Sequence, residues 1–298
     1  MRLGIDLGGS KIEILAIDQH GNECYRRRVS TPKEDYSAIL NCIKDLVFSA
    51  ESTLSKPASV GIGTPGSLSP RSGLLRGSNS TCLNNKPFKQ DLEYLLKREV
   101  RISNDANCFA LSEAIDGAAS NADIVFGVII GTGCGAGIVI NRQILNGPNS
   151  ISGEWGHNPL PWPEHNELKN TVCWCGQHGC IETFLSGPAL ERDYYSSNTD
   201  HKTAKEIITL ANQGDEPCQQ IVARYELRMA KSLAHVINIL DPHTIVLGGG
   251  MSNTKRLYEN VPKLWGSYIF SDVVFTRLVP PTYGDASGVR GAAWLWND

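Results

Sequence analysis

The sequence predicts a mixed α/β protein built from two related halves. A strand, a glycine-rich turn and a second strand occur around Gly8-Gly9, and the same unit returns around Gly131 to Gly137. Short buried strands alternate with helical patterns elsewhere, and no low-complexity linker divides them, as layered α/β architectures require.

Met1 to Asp18 alternates as a hairpin would. Ile5 and Leu7 are expected on one face, Ile12 and Ile14 on another, with the glycines at the turn. Ile39, Ile43, Leu46 and Val47 recur at helical spacing, predicting a helix from Tyr36 to about Leu54. Val60 to Gly63 reads as a buried strand ending at the turn signal Thr64-Pro65-Gly66. A helix over Gln90 to Glu99 and a strand over Val100 to Ser103 lead into Asn104-Asp105-Ala106-Asn107, and a helical pattern follows through Cys108, Leu111 and Ile115. Ile124 to Ile130 and Ile138 to Ile140 are strands on either side of the second glycine turn. Asn146 to Cys180 is loop-rich. Glu216 to Leu240 is a long helix with Tyr225, Met229, Leu233, Val236 and Ile237 on one face, followed by the strand Thr244 to Leu247 and then Gly248-Gly249-Gly250. Ser287 to Trp296 reads as helical.

At 298 residues, with 41% hydrophobic and 20% charged residues, the chain can bury a full core without disulfides. A net charge of −3, with Arg26-Arg27-Arg28 as the only basic run of note, argues against nucleic acid. No stretch reaches the ~20 apolar residues of a membrane span. Asp6, Lys11 and Glu13 interrupt any signal-peptide core, so a cytoplasmic location is expected. Nine cysteines in a reducing compartment then need a reason other than disulfides.

Three glycine loops suggest a nucleotide. In Asp6-Leu7-Gly8-Gly9-Ser10-Lys11 the glycines let backbone N–H groups approach phosphate oxygens, and Asp6 suits a hydrated Mg²⁺. Gly131-Thr132-Gly133-Cys134-Gly135-Ala136-Gly137 spends too many glycines for a plain turn and fits neither the P-loop nor the dinucleotide pattern. Gly249 and Gly250 offer bare backbone to a planar ring. Asn104-Asp105 lies where a strand meets a helix. Either residue could simply cap that helix, or Asp105 could accept a proton from an attacking hydroxyl while Asn104 holds its neighbour.

Cys173-x-Cys175-x-x-x-x-Cys180 clusters three thiols among Gly176 and Gly179. With His157 they make a closed tetrahedral set typical of structural zinc, and His165 and His178 are rival fourth ligands. Glu154 and Glu182 flank this knot and could take hydroxyls of a polyol.

Together these motifs resemble the ROK family (repressors, open reading frames and sugar kinases). The resemblance rests on Asp6-x-Gly8-Gly9-Ser10-Lys11, Asn104-Asp105-Ala106-Asn107, Gly131-Thr132-Gly133-x-Gly135-x-Gly137, Glu154-x-x-His157 and Cys173-x-Cys175-Gly176-x-x-Gly179-Cys180-x-Glu182. It implies an actin-like ATPase (ribonuclease H-like) fold, with a smaller domain over residues 1–110, a larger one over 111–286 carrying the zinc insertion, and the helix 287–298 returning to the first. It implies ATP, Mg²⁺, structural zinc on His157, Cys173, Cys175 and Cys180, a hexose substrate and a homodimer. By the same resemblance Asp105 is the general base toward the 6-hydroxyl. Gly66, Asn79, Asn104, Glu154, His157 and Glu182 serve the sugar. Gly4, Ile5, Asp6, Leu7, Gly8, Gly9, Ser10, Lys11, Gly131 to Ile138, Gly249 and Gly250 serve the nucleotide. Ser10 stands where the family usually has threonine. The stretch Glu154 to Trp162 and Asn79-Ser80-Thr81 look most like bacterial fructokinases, making fructose the expected sugar, with N-acetylglucosamine, glucose or mannose as alternatives. A sugar-sensing repressor would need a DNA-binding segment ahead of Asp6. A silent sugar-binding protein would have no need of Asp6, Lys11 and Asp105 together.

Overall fold

A computed structural model describes residues 1–164, 167–168 and 171–297. In chain order it contains β1 (Arg2–Leu7), β2 (Lys11–Ile17), β3 (Glu23–Ser30), α1 (Tyr36–Leu54), β4 (Ser59–Thr64), β5 (Ser67–Leu68), β6 (Leu75–Arg76), α2 (Phe88–Leu96), β7 (Val100–Asn104) and α3 (Asp105–Ile115). Then come β8 (Ile124–Ile130), β9 (Cys134–Ile140), β10 (Gln143–Ile144), α4 (Glu182–Leu185), α5 (Gly187–Ser197), α6 (Ala204–Asn212), α7 (Glu216–Leu240), β11 (Thr244–Gly248), α8 (Lys255–Trp265), β12 (Arg277–Val279) and α9 (Ser287–Ala293).

Two five-stranded sheets have matching orders, β3-β2-β1-β4-β7 and β10-β9-β8-β11-β12. Each has antiparallel pairing on one side, β1 with β2 or β9 with β10, and parallel strands on the other. The recurrence of strand, glycine turn and strand is therefore a recurrence of topology. By packing density the chain forms two units. One comprises Met1–Asn121, Gly137–Ser152 and Thr282–Asp298; the other comprises Ala122–Ala136 and Gly153–Pro281.

In the first unit β1 pairs with β2 so that Ile5 faces Ile14 and Leu7 faces Ile12. Directly opposed residues project to the same side of a sheet. All four apolar side chains therefore share one face, where the sequence suggested two. They are fully buried with Ile39, Ile43 and Val47 of α1. Asp35 caps α1, accepting from the Ala38 N–H at 2.9 Å, and Ser55 ends it in the left-handed region at φ 51°. On the other face α9 lies so close that a methyl at Gly4 would overlap the Val289 carbonyl, and one at Gly61 the Ala292 carbonyl.

In the second unit α7 is the longest helix, capped by Asp215 and carrying a proline in its first turn. Its buried face includes Tyr225, Met229 and Leu233, and Tyr225 donates its hydroxyl to the Leu185 carbonyl at 2.5 Å. Among the described residues no helix is long and apolar enough to cross a membrane.

Candidate active site and metal centre

In the first unit the parallel register aligns Asp6 with Gly63, Gly63 with Ser103, and Thr64 with Asn104. The carboxyl ends of β1, β4 and β7 thus carry Asp6, Thr64 and Asn104 along one rim, the edge where open α/β sheets bind ligands. The turn from Gly8 to Ser10 is closed by the Gly8 N–H donating to the Lys11 carbonyl at 3.0 Å, and the Thr31 hydroxyl holds the Gly8 carbonyl at 2.7 Å. Gly8, Gly9, Ser10 and Lys11 reach the surface, whereas the side chains of Ile5 and Leu7 lie in the core and Gly4 is the seat of α9. Only Asp6 and the turn itself present chemistry to a ligand.

Asn104 is the N-cap of α3, its Oδ1 accepting from the Asn107 N–H at 3.1 Å, and Asp105 is the first residue of the helix. Capping and function are thus compatible, because the cap fixes where Asp105 sits. Burial and the nearby Asp105 and Glu13 carboxylates push the Asp6 carboxyl up to about 6, against the pull of Arg28 and Lys11. Full burial, helped by the same two aspartates, Asp6 and Asp105, raises the Cys108 thiol well above its ordinary range. Asp6 and Asp105 therefore form one electrostatic pair. The loop holding exposed Asn79 lies beside the first glycine turn, with Ser80 Oγ in reach of Gly9. Gly66, at φ 83°, precedes β5 at the open end of the β5–β6 pair, where any side chain would overlap the Arg76 carbonyl.

In the second unit the Gly131 N–H donates to the Gly133 carbonyl at 3.0 Å, and the Gly131 carbonyl accepts from Gly187 N–H, the start of α5, at 2.9 Å. Thr132 is exposed. Cys134 is buried, and its N–H donates to Glu182 Oε2 at 3.0 Å. Gly135 and Ala136 continue into β9. Gly249, at φ 76°, approaches the Ile130 backbone too closely for a side chain, while nothing crowds Gly250. The second and third glycine loops are therefore neighbours. Gly137 and Ile138 belong to the first unit, where Gly137 packs on the backbone of Ala106 and Asn107.

His157, Cys173, Cys175 and Cys180 bring one donor atom each within 4.8 Å of one another. Tetrahedral zinc with its usual bond lengths needs sulfur atoms about 3.8 Å apart and a nitrogen about 3.6 Å from sulfur. Cys175 Sγ lies 3.7 Å from Cys180 Sγ, and His157 Nδ1 lies 3.6 Å from Cys173 Sγ. These residues fit the ion. Gly176 and Gly179, at φ 89° and 72°, give the loop its curl. His178 is outside the cluster, its backbone bridging to Val172, and His165 lies outside the described residues.

The knot is joined to the second glycine loop at two points. A methyl at Gly156 would overlap the Cys134 carbonyl, and Glu182 accepts the Cys134 N–H. Glu154 is exposed just before the short helical turn of His157. Trp174 is a residue the motif reading passed over. Its indole N–H donates to Glu182 Oε1 at 2.7 Å, and its ring meets His157 edge-on at 5.1 Å.

The two matched sheets and their glycine hairpins define an actin-like ATPase fold. The crystal structure of a ROK hexokinase from Thermus thermophilus matches it with a TM-score of 0.87 at 29% identity, over 98% of this chain and 96% of the other. That of a ROK glucokinase from Streptomyces griseus, in complex with glucose and AMPPNP, shares the fold at TM-score 0.77 and 24% identity, over 99% and 98%. The chain belongs to the ROK family, whose profile matches residues 2–298. N-acetyl-D-glucosamine kinases from Yersinia enterocolitica and Pectobacterium atrosepticum are each 39% identical over 299 residues. Those alignments cover 99% of this chain and 99% and 98% of the relatives.

Proposed function

We propose that the protein is a sugar kinase that transfers a phosphoryl group from ATP to the 6-hydroxyl of N-acetyl-D-glucosamine. The observation that carries the sugar is the end-to-end identity with kinases named for it. It favours the alternative noted from the sequence over fructose, for which Glu154 to Trp162 and Asn79-Ser80-Thr81 had argued.

In this reading Asp105 takes the proton of the 6-hydroxyl as that oxygen bonds to the γ-phosphorus and ADP departs with the electron pair of the broken bond. Asn104, Asn79, Glu154, His157 and Glu182 hold the remaining hydroxyls. His157 commits Nδ1 to the metal cluster, which leaves Nε2 for the sugar. Backbone amides of Gly8 to Lys11 and Gly131 to Gly135 receive phosphate oxygens, Gly249 and Gly250 flank the base, and Asp6 would hold Mg²⁺, whose charge offsets that of the phosphates. His157, Cys173, Cys175 and Cys180 would hold zinc in a structural role, since four protein donors leave no open position.

An ADP-release assay over N-acetylglucosamine, glucose, mannose and fructose tests the choice. The largest kcat/KM is expected for N-acetylglucosamine; a larger value for fructose would restore the other sugar. Sugar binding without ADP release would make the protein a silent binder. The homodimer implied by the family resemblance is checked by light scattering.

A further inference from the structure

Glu182 is already engaged on both oxygens, by the Cys134 N–H on Oε2 and by the Trp174 indole N–H on Oε1. The first partner belongs to a glycine loop and the second to the metal knot. Trp174 is an unusual donor for this task. It is 76% exposed, so it adds little to any core, and it stands between two cysteines of the cluster, so its backbone is fixed on both sides. Its only ring neighbour among the described residues is His157, met edge-on with an interplanar angle of 81°. An aromatic face is thus held open to solvent beside two side chains assigned to the sugar. Ligand sites combine such apolar walls with a few aimed polar groups, and indole joins a broad apolar face to one donor.

We propose that Trp174 is a sugar-site residue with two tasks. It positions Glu182 through its N–H, and its exposed ring covers the C–H face and acetamido methyl of the bound N-acetylhexosamine. The inference rests on the sugar-kinase reading above. A rigid ring costs little conformational entropy to place against a ligand, and a charge-assisted bond to Glu182 keeps the carboxylate aimed before the sugar arrives.

The test uses the zinc-loaded full chain. Tryptophan emission is titrated with N-acetylglucosamine in the absence of nucleotide, and kinetics are measured for wild type, Trp174→Phe and Trp174→Ala. Wild-type emission should change saturably. The change should vanish in both variants, and sugar KM should rise at least fivefold in Trp174→Phe and further in Trp174→Ala. ATP KM and zinc content should stay within twofold. Should the alanine variant lose zinc, the phenylalanine variant, which keeps a ring against His157, decides alone. A sugar KM within twofold of wild type, or an emission response that survives without Trp174, overturns the inference while leaving the kinase reading intact. A wild type that neither binds nor phosphorylates any of the four sugars overturns both.

Discussion

Glu13 stands directly opposite Asp6 in the β1–β2 register, so two carboxylates share one face of the sheet on adjacent strands. Such pairing is unfavourable unless cations intervene. Here Arg28, opposite Glu13 on β3, donates from Nε to Glu13 Oε2 at 3.0 Å, and Arg26 takes the other oxygen. Arg26 and Arg28, exposed on the edge strand β3, are therefore the counter-charges of a buried acid. Lys11 adds to them from the strand of Glu13, while Asp105 faces Asp6 from the start of α3.

The sign of the resulting pH dependence follows from Asp6. Its carboxyl is lifted from 3.8 to about 6, chiefly by burial, so the native state binds more protons than the unfolded state between those values. Stability contributed by the protonated form is present below pH 4 and lost as pH rises through 6, by about 2–3 kcal/mol. Asp6→Asn should therefore raise the melting temperature of ligand-free protein at pH 8 and flatten its dependence between pH 4 and 6. Turnover should fall at least a hundredfold, because the proposed ligand for Mg²⁺ is gone. An unchanged melting temperature at pH 8 would show that Asp6 is not strained.

Asp105→Asn keeps the size and helix-start position of the side chain while removing its basicity. Activity should drop by about 10²–10⁴, the range of a lost general base. Zinc content and far-ultraviolet circular dichroism should not change. Near-normal turnover would assign the proton to another group.

The metal cluster predicts about one zinc per chain by elemental analysis. Cys175→Ser should lose it, and with it the alignment of Glu182 and His157. Sugar affinity should then fall more than nucleotide affinity, which calorimetry with each ligand alone resolves. Full activity in metal-free protein would rule out the structural role.

Elements that carry a long apolar run or a helical period were legible in the sequence. Tyr36–Leu54, Ile124–Ile130 and Glu216–Leu240 have the limits their spacing predicts. β3 was not, because an edge strand with exposed Arg26, Arg27 and Arg28 shows no alternation. α6 carries its own signals, a capping box of Thr203 and Glu206 and buried Ile207 and Ala211 one turn apart, but spreads them over only nine residues. The three clustered thiols were legible because thiol spacing is chemical, whereas His157 was singled out from its rivals only by the family resemblance. Trp174 was not, since its bond to Glu182 exists only once the loop has curled. Gly4 and Gly61 gave no local reason for their lack of side chain; that reason is α9, far along the chain.

The same helix backs α3 and so fixes where Asp105 begins it. A methyl at Gly291 would overlap the Cys108 carbonyl of α3, while Gly63 packs on the Cys108 side chain from β4. The contact is locked by Glu113, fully buried on α3, which accepts from Ser287 Oγ at 2.6 Å and from the N–H groups of Thr282 and Ala118 at 3.0 and 2.8 Å. Asp116 pairs with Arg290 and accepts the Trp294 indole N–H at 3.0 Å. With the C-terminal end of α3 tied to both ends of α9, Gly291→Ala cannot be absorbed by sliding. It should destabilise by about 1–3 kcal/mol, as overpacking does, read as a lower urea midpoint. Because α3 begins at Asp105, displacement of the helix should also lower kcat more than it raises either KM. A variant with normal kcat and a normal midpoint would mean that α3 and α9 yield freely.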